Sequence, residues 1–149
     1  MLSYTENPPI KILMIEDNPG DVRLTREVLR DASISSLLNA VKDGEEAMNY
    51  LYQKDAFADA VRPDLILLDL NLPRMGGLEI LQKIKSDKDL RSIPVVILTS
   101  SQAEQDILAG YEAYANAYIT KPVSLDQFSR VVRSIEGFWL ETARLPHHS

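Results

Sequence analysis

Apolar residues fall along this chain in two alternating rhythms. Short continuous runs occupy residues 10–15 (IKILMI), 65–68 (LILL), 94–99 (PVVILT) and 117–120 (AYIT), and between them apolar residues recur three and four apart. Continuous runs of this length describe strands buried on both faces, whereas the spaced pattern describes amphipathic helices. The expected strands cover residues 10–15, 37–41, 65–69, 94–99 and 117–120, with the second the weakest. The first helix is expected over residues 19–31, with Val22, Leu24, Val28 and Leu29 facing the core. A second follows the break at Asp43-Gly44 and carries Ala47, Met48, Tyr50 and Leu51; a third follows Gly76-Gly77 and carries Leu78, Ile80, Leu81 and Ile84. A fourth spans residues 102–113, and a last one, capped by Ser124, runs through Phe128, Val131, Val132 and Ile135 toward Trp139. The stretch QKDAFADAVRP reads as a polar loop, longer than most connections between such elements.

Regular alternation of strand and helix describes βα units. Five such units, with right-handed crossovers and short connections, wind most simply into a doubly wound parallel sheet with helices on both faces. The expected strand order is 2-1-3-4-5, which leaves the weak second strand at an edge. At 149 residues, 45% of them hydrophobic, the chain supports one well-buried core. The domain is expected over residues 9–143, with tails at 1–8 and 144–149 and no output domain.

Charge and composition remove several classes of function. A net charge of −6 without any Lys/Arg cluster argues against direct nucleic-acid binding. The absence of cysteine rules out a disulfide framework and a thiolate metal site. The amino terminus lacks the pattern of a signal peptide, and no apolar stretch approaches the length of a membrane span. A soluble cytoplasmic protein is expected.

The expected strand order also gathers chemistry. Strand 1 ends on Glu16-Asp17, strand 3 on Asp69 and strand 4 on Thr99, and Lys121 follows strand 5. Neighbouring parallel strands bring those ends together at the edge where open α/β sheets bind ligands. Two carboxylates at ~4 Å repel by about 4 kcal/mol at an effective dielectric near 20, so either one keeps its proton or a cation sits among them. Oxygen-only donors select a hard cation, and a site open to phosphate favours Mg²⁺. Asp17 and Asp69 are the expected ligands, with Glu16 acting through water and the backbone carbonyl of Asn71 as a further candidate. Asp69, flanked by apolar residues and expected to be exposed at the strand end, suits nucleophilic attack on a phosphoryl group, giving an aspartyl-phosphate. Lys121 would offset charge on one phosphoryl oxygen, and the Thr99 hydroxyl would hydrogen-bond another.

These residues stand in an order that resembles the receiver domains of two-component response regulators. The matching pieces are Glu16-Asp17-Asn18, Asp69 within LLDLNLPRMGG, Thr99-Ser100 in VVILTSS, and Tyr118 with Lys121-Pro122 in AYITKP. The resemblance implies a flavodoxin-like fold, phosphoryl transfer from a histidine kinase to Asp69, and a switch built from Thr99 and Tyr118. It also implies a metal pair at Glu16 and Asp17, and Lys121 before a cis-proline. Such a protein promotes only its own phosphorylation and dephosphorylation and is not a turnover enzyme. The long loop before LILLDL and the tail GFWLETARLP are similar to the single-domain regulators that work with cyanobacterial and bacterial phytochrome kinases. One departure is Gly76, where the family usually carries Asp; this is expected to loosen the turn. Ser101 occupies a position that in the family helps set the dephosphorylation rate.

Plainer readings compete at each position. Glu16-Asp17 would serve as a helix-capping pair, Thr99 as a β-favouring residue, Tyr118 as a half-packed aromatic and Lys121 as a solvated lysine. A phosphohydrolase with an aspartate nucleophile is one alternative function, but it would want an acid where Asn71 stands. A nucleotide binder with the same sheet would want a Ser/Thr/Gly-rich phosphate loop where EDNPGD presents negative charge. A phosphate-independent binding module of the same fold is the third. Phe138, Trp139 and Leu140 exceed what a five-unit core needs and are expected to form a homodimer contact.

Overall fold

The computed structural model describes residues 9–30, 35–72, 75–99 and 117–120, with Thr99 and the last strand described through their backbone. The elements are β1 (Ile10–Ile15), α1 (Pro19–Arg30), β2 (Ser36–Val41), α2 (Gly44–Leu51), β3 (Leu65–Leu68), α3 (Gly77–Ser86), β4 (Val95–Thr99) and β5 (Ala117–Thr120). All pairings are parallel, in the order β2-β1-β3-β4-β5. Leu13 pairs with Ile66, Ile66 with Val95, and Ile97 with Tyr118. The expected helices over residues 102–113 and after Ser124 lie outside the described residues, as do Ser101, Lys121, Pro122, Phe138, Trp139 and Leu140.

Successive side chains of a strand point to opposite faces, and both faces here are covered. Leu13, Ile15, Ile66, Leu68, Val95 and Ile97 pack with Ala47 and Tyr50 of α2 and with Ile80, Leu81 and Ile84 of α3. Ile12, Met14, Leu65, Leu67, Val96 and Leu98 pack with Val28 and Leu29 of α1. Each such side chain contributes roughly 1.5–3 kcal/mol by leaving water. This two-sided burial explains why β3, and β1 after Lys11, read as unbroken apolar runs.

Several local expectations shift. β3 ends at Leu68, so Asp69 is the first residue beyond the strand. β2 begins at Ser36, one residue earlier than expected, and its Leu37 is 52% exposed. Val22 and Leu24 are only partly buried, while Thr25 is fully buried; its hydroxyl donates to the Asp21 carbonyl at 2.8 Å. A threonine satisfied by the preceding helical turn carries no polar cost into the core, which an apolar pattern does not reveal.

The ends of α2 are locally determined. Asp43 caps it by accepting the Glu46 amide at 2.8 Å, and the Glu46 carboxylate accepts the Lys42 amide at 3.0 Å. At the other end Gln53 takes a left-handed conformation (φ 56°), its amide bonding Tyr50 O and that of Lys54 bonding Asn49 O. This is a Schellman ending with glutamine where glycine is favoured. The loop that follows carries a single 3₁₀ turn, Asp55–Phe57, and is joined to the α3–β4 connection by a hydrogen bond from the Tyr52 hydroxyl to Asp87.

Candidate functional site

The site is assembled by strand ends. The Glu16 amide donates to Val41 O at 2.9 Å and the Asp69 amide to Ile15 O at 3.0 Å, so both acids continue the ladder one step past their strands. Because β1 lies beside β3, one carboxylate oxygen from each of Glu16, Asp17 and Asp69 lies within 4.8 Å of the others. Glu16 and Asp69 are 3% and 6% exposed, and Asp17 is open to solvent. The expectation that Asp69 is exposed is therefore corrected: the residue is buried. Asp17 leaves the cluster accessible from one side.

Hydrogen bonds orient the two buried acids. The Asn18 amide donates to Glu16 Oε2 at 3.3 Å, and the Asn71 amide to Asp69 Oδ1 at 3.2 Å. The first turn of α1 is served by Asn18 instead, whose Oδ1 accepts the amides of Gly20 at 2.8 Å and Asp21 at 3.2 Å. The capping alternative for Glu16-Asp17 thus falls away. Two buried carboxylates and one exposed one, with only oxygen donors, match a hard divalent cation and offer nothing to a soft one. Beside the cluster runs a groove of about 510 Å³ lined by Glu16, Asp17, Val22, Arg23, Ala40 and Glu46 among others.

Of the other residues expected at the site, Thr99 ends β4 at the same sheet edge and is in register with Thr120, and Tyr118 is in register with Ile97. Lys121 lies outside the described residues. Two residues read from sequence as mere chain breaks prove to be contacts. Side-chain atoms at Gly77 would strike the backbone of Asp69 and Leu70, and at Gly44 they would strike Met75. The only sequence signal for either was glycine next to a turn, which does not distinguish a bend from a close approach. Gly76, by contrast, caps α3 in extended conformation (φ −66°, ψ 155°) with open space around its Cα. The base of the turn is closed by the Gly77 amide, which donates to Leu70 O at 3.1 Å.

Among the described residues no helix is long and apolar enough to cross a membrane. Residues 12–133 match the family model of the response regulator receiver domain. The response regulator Rcp1 of Synechocystis sp. is 46% identical over 145 residues, covering 97% of this chain and 99% of Rcp1. The crystal structure of the phosphorylated cyanobacterial phytochrome response regulator RcpA superposes with a TM-score of 0.90 at 48% identity, covering 94% of this chain and all (100%) of that one. The Mn²⁺-bound form of Rcp1 superposes with a TM-score of 0.88 at 46% identity, over 93% of this chain and 100% of that one. A parallel α/β sheet with an acidic cluster at its carboxy-terminal edge, and a match over most of its length, place this chain in the response regulator receiver domain family.

Proposed function

We propose that this protein accepts a phosphoryl group on Asp69 from the phosphohistidine of a histidine kinase, with Mg²⁺ held by Asp17, Asp69, the backbone carbonyl of Asn71 and, through water, Glu16. The observation that carries the reading is the juxtaposition of Glu16, Asp17 and Asp69 within 4.8 Å. A bound Mg²⁺ supplies positive charge to the carboxylates and to the incoming phosphoryl oxygens. Asp69 attacks the phosphorus through a carboxylate oxygen; the P–N bond breaks, and the departing imidazole takes a proton from water. No general base is required, since the nucleophile is an ionised carboxylate. The Asn71 amide holds Asp69 Oδ1 and so limits rotation of the nucleophile. Burial removes competing water from around it.

Lys121 is assigned to one phosphoryl oxygen and the Thr99 hydroxyl to another. Drawing Thr99 toward the acyl phosphate vacates space that Tyr118 follows, and the altered surface changes affinity for a partner. A phytochrome-type kinase is the proposed donor, supported by the likeness to RcpA, whose name ties it to a cyanobacterial phytochrome. Support for a divalent cation comes from the Mn²⁺-bound form of Rcp1. Signalling is proposed to be cytoplasmic, without turnover of an external substrate, and through a homodimer contacted by Phe138, Trp139 and Leu140.

The test is intact mass after incubation with acetyl phosphate, with Mg²⁺ or with EDTA, for the wild type and Asp69→Asn. One added phosphoryl group that requires both Mg²⁺ and Asp69 is the expected result. No addition under any condition would replace this reading with that of a phosphate-independent binding module.

A further inference from the structure

We infer that Gly44, at the start of α2, is a positioning residue for the metal and phosphoryl site, acting through Met75 in the β3–α3 connection. The inference rests on the proposed role of the acidic cluster and extends it to a residue that touches none of its members.

The β3–α3 connection is held at three described points. The Gly77 amide donates to Leu70 O at 3.1 Å and closes the base of the turn. Leu72 is buried in the core under α2 and α3. Met75 lies against α2 at Gly44, where a Cβ would come 2.8 Å from the Met75 Sδ, 2.9 Å from the Met75 Cβ and 3.2 Å from Ile80 Cδ1. The contact with Met75 Cβ decides the consequence. A thioether can rotate away from an obstruction, but a Cβ moves only with its backbone. A side chain at position 44 therefore has to part the start of α2 from the connection, with Ile80 Cδ1 crowding the same space.

That connection also carries Asn71, whose amide holds Asp69 Oδ1. Asn71 and Met75 belong to one connection, so a shift at Met75 is expected to be felt at the Asn71 amide and through it at Asp69. Partners one shell removed from a metal typically change affinity by about 10–100-fold when lost, and a loop shift should fall at the lower end. Helix propensity predicts the opposite sense for the fold, since alanine is favoured over glycine within a helix. Stability and site function are expected to separate.

The experiment is Mg²⁺ titration calorimetry on the full chain as wild type, Gly44→Ala, Met75→Gly and the double variant, with phosphoryl uptake from acetyl phosphate followed in parallel. Gly44→Ala is expected to weaken Mg²⁺ binding by about tenfold while folding with wild-type secondary structure. Met75→Gly alone removes the seat, Cβ included, and is also expected to weaken binding; adding Gly44→Ala to it should change affinity by less than about twofold, because neither the Sδ nor the Cβ of Met75 remains to be displaced. Mg²⁺ affinity within about twofold of wild type in either single variant would overturn the inference, as would an undiminished Gly44→Ala effect in the Met75→Gly background. If Gly44→Ala does not fold, Met75→Gly still decides. Failure of the wild type to take up a phosphoryl group would refute the phospho-acceptor reading and leave the Mg²⁺ comparison to judge the positioning role.

Discussion

Gly77 sits directly against the main chain of Asp69: a Cβ at position 77 would lie 2.4 Å from the Asp69 carbonyl oxygen and 2.6 Å from the Leu70 Cα. Backbone atoms just past the end of a buried strand cannot rotate aside as a side chain can, so even a methyl group there must push α3 away from the end of β3. Gly77→Ala is expected to cost roughly 2–3 kcal/mol in urea unfolding and to lower phosphoryl uptake at Asp69. A variant as stable as the wild type would show that this close approach is not a constraint.

Its neighbour Gly76 has the opposite surroundings and the opposite expectation. It caps α3 in a conformation open to any residue, has nothing within 4 Å of a Cβ, and provides no side chain to the first-turn amides. Gly76→Asp supplies that acceptor, places a negative charge at the helix amino terminus and narrows the unfolded ensemble. A gain of about 0.5 kcal/mol is expected, seen as a higher urea midpoint with unchanged slope. The aspartate usual at this position is thus explicable as a capping residue.

The turn after α2 contains two left-handed residues that are not glycine, Gln53 at φ 56° and Asp55 at φ 54°. Replacing either with glycine relieves the clash between Cβ and the carbonyl that follows. The two sites differ in what is lost. Gln53 Nε2 donates to Ala60 O at 2.7 Å, so Gln53→Gly exchanges strain for a hydrogen bond and should be nearly neutral. Asp55→Gly is expected to raise stability by about 1 kcal/mol by thermal or urea unfolding.

How much of this was legible in the chain depended on periodicity. β3, and β1 after Lys11, are unbroken apolar runs because helices cover both faces, and the residues that follow them put Glu16 and Asp69 at one edge as a matter of topology. What could not be read were relations of space. Burial of Asp69 at a strand end is set by packing in three dimensions, Thr25 enters the core by bonding its own helix, and Gly44 and Gly77 look like ordinary punctuation until another element is laid against them. The Tyr52–Asp87 contact joins two loops 35 residues apart and has no sequence pattern.

That contact makes a pH-dependent prediction. The Tyr52 hydroxyl, followed by the amide of Asp89, holds the Asp87 carboxyl below its ordinary range, and the bond to Asp87 in turn pushes the Tyr52 phenol up. A depressed carboxyl pKa contributes stability that is present above the unfolded value, about 4, and is lost as pH falls through the lower folded value. A raised phenol contributes stability that is present below the unfolded value, about 10, and is lost as pH rises through the folded one. The wild type should therefore exceed Tyr52→Phe in stability by a margin that is greatest near neutrality and closes at both extremes. Urea midpoints measured from pH 3 to pH 11 test it; a margin independent of pH would remove the bond from the account.

At the sheet edge Arg26 covers a group that would otherwise invite pairing. The carbonyls of Ser35 and Val41 face β1, accepting from Ile10 and Glu16, so alternation turns the Leu38 carbonyl outward on the edge strand β2. Arg26 Nη1 donates to that carbonyl at 2.6 Å. An uncovered edge beside an exposed Leu37 is a template for another strand, and a guanidinium laid over it both satisfies the carbonyl and brings charge to the approach. Arg26→Ala leaves the carbonyl to water, so the folding cost should be only about 1 kcal/mol. The larger effect is expected on association: sedimentation velocity across a concentration series should show species that the wild type does not form, and Leu37→Lys added to Arg26→Ala should suppress them. If Arg26→Ala sediments as the wild type does at every concentration, the edge is protected by something other than this contact.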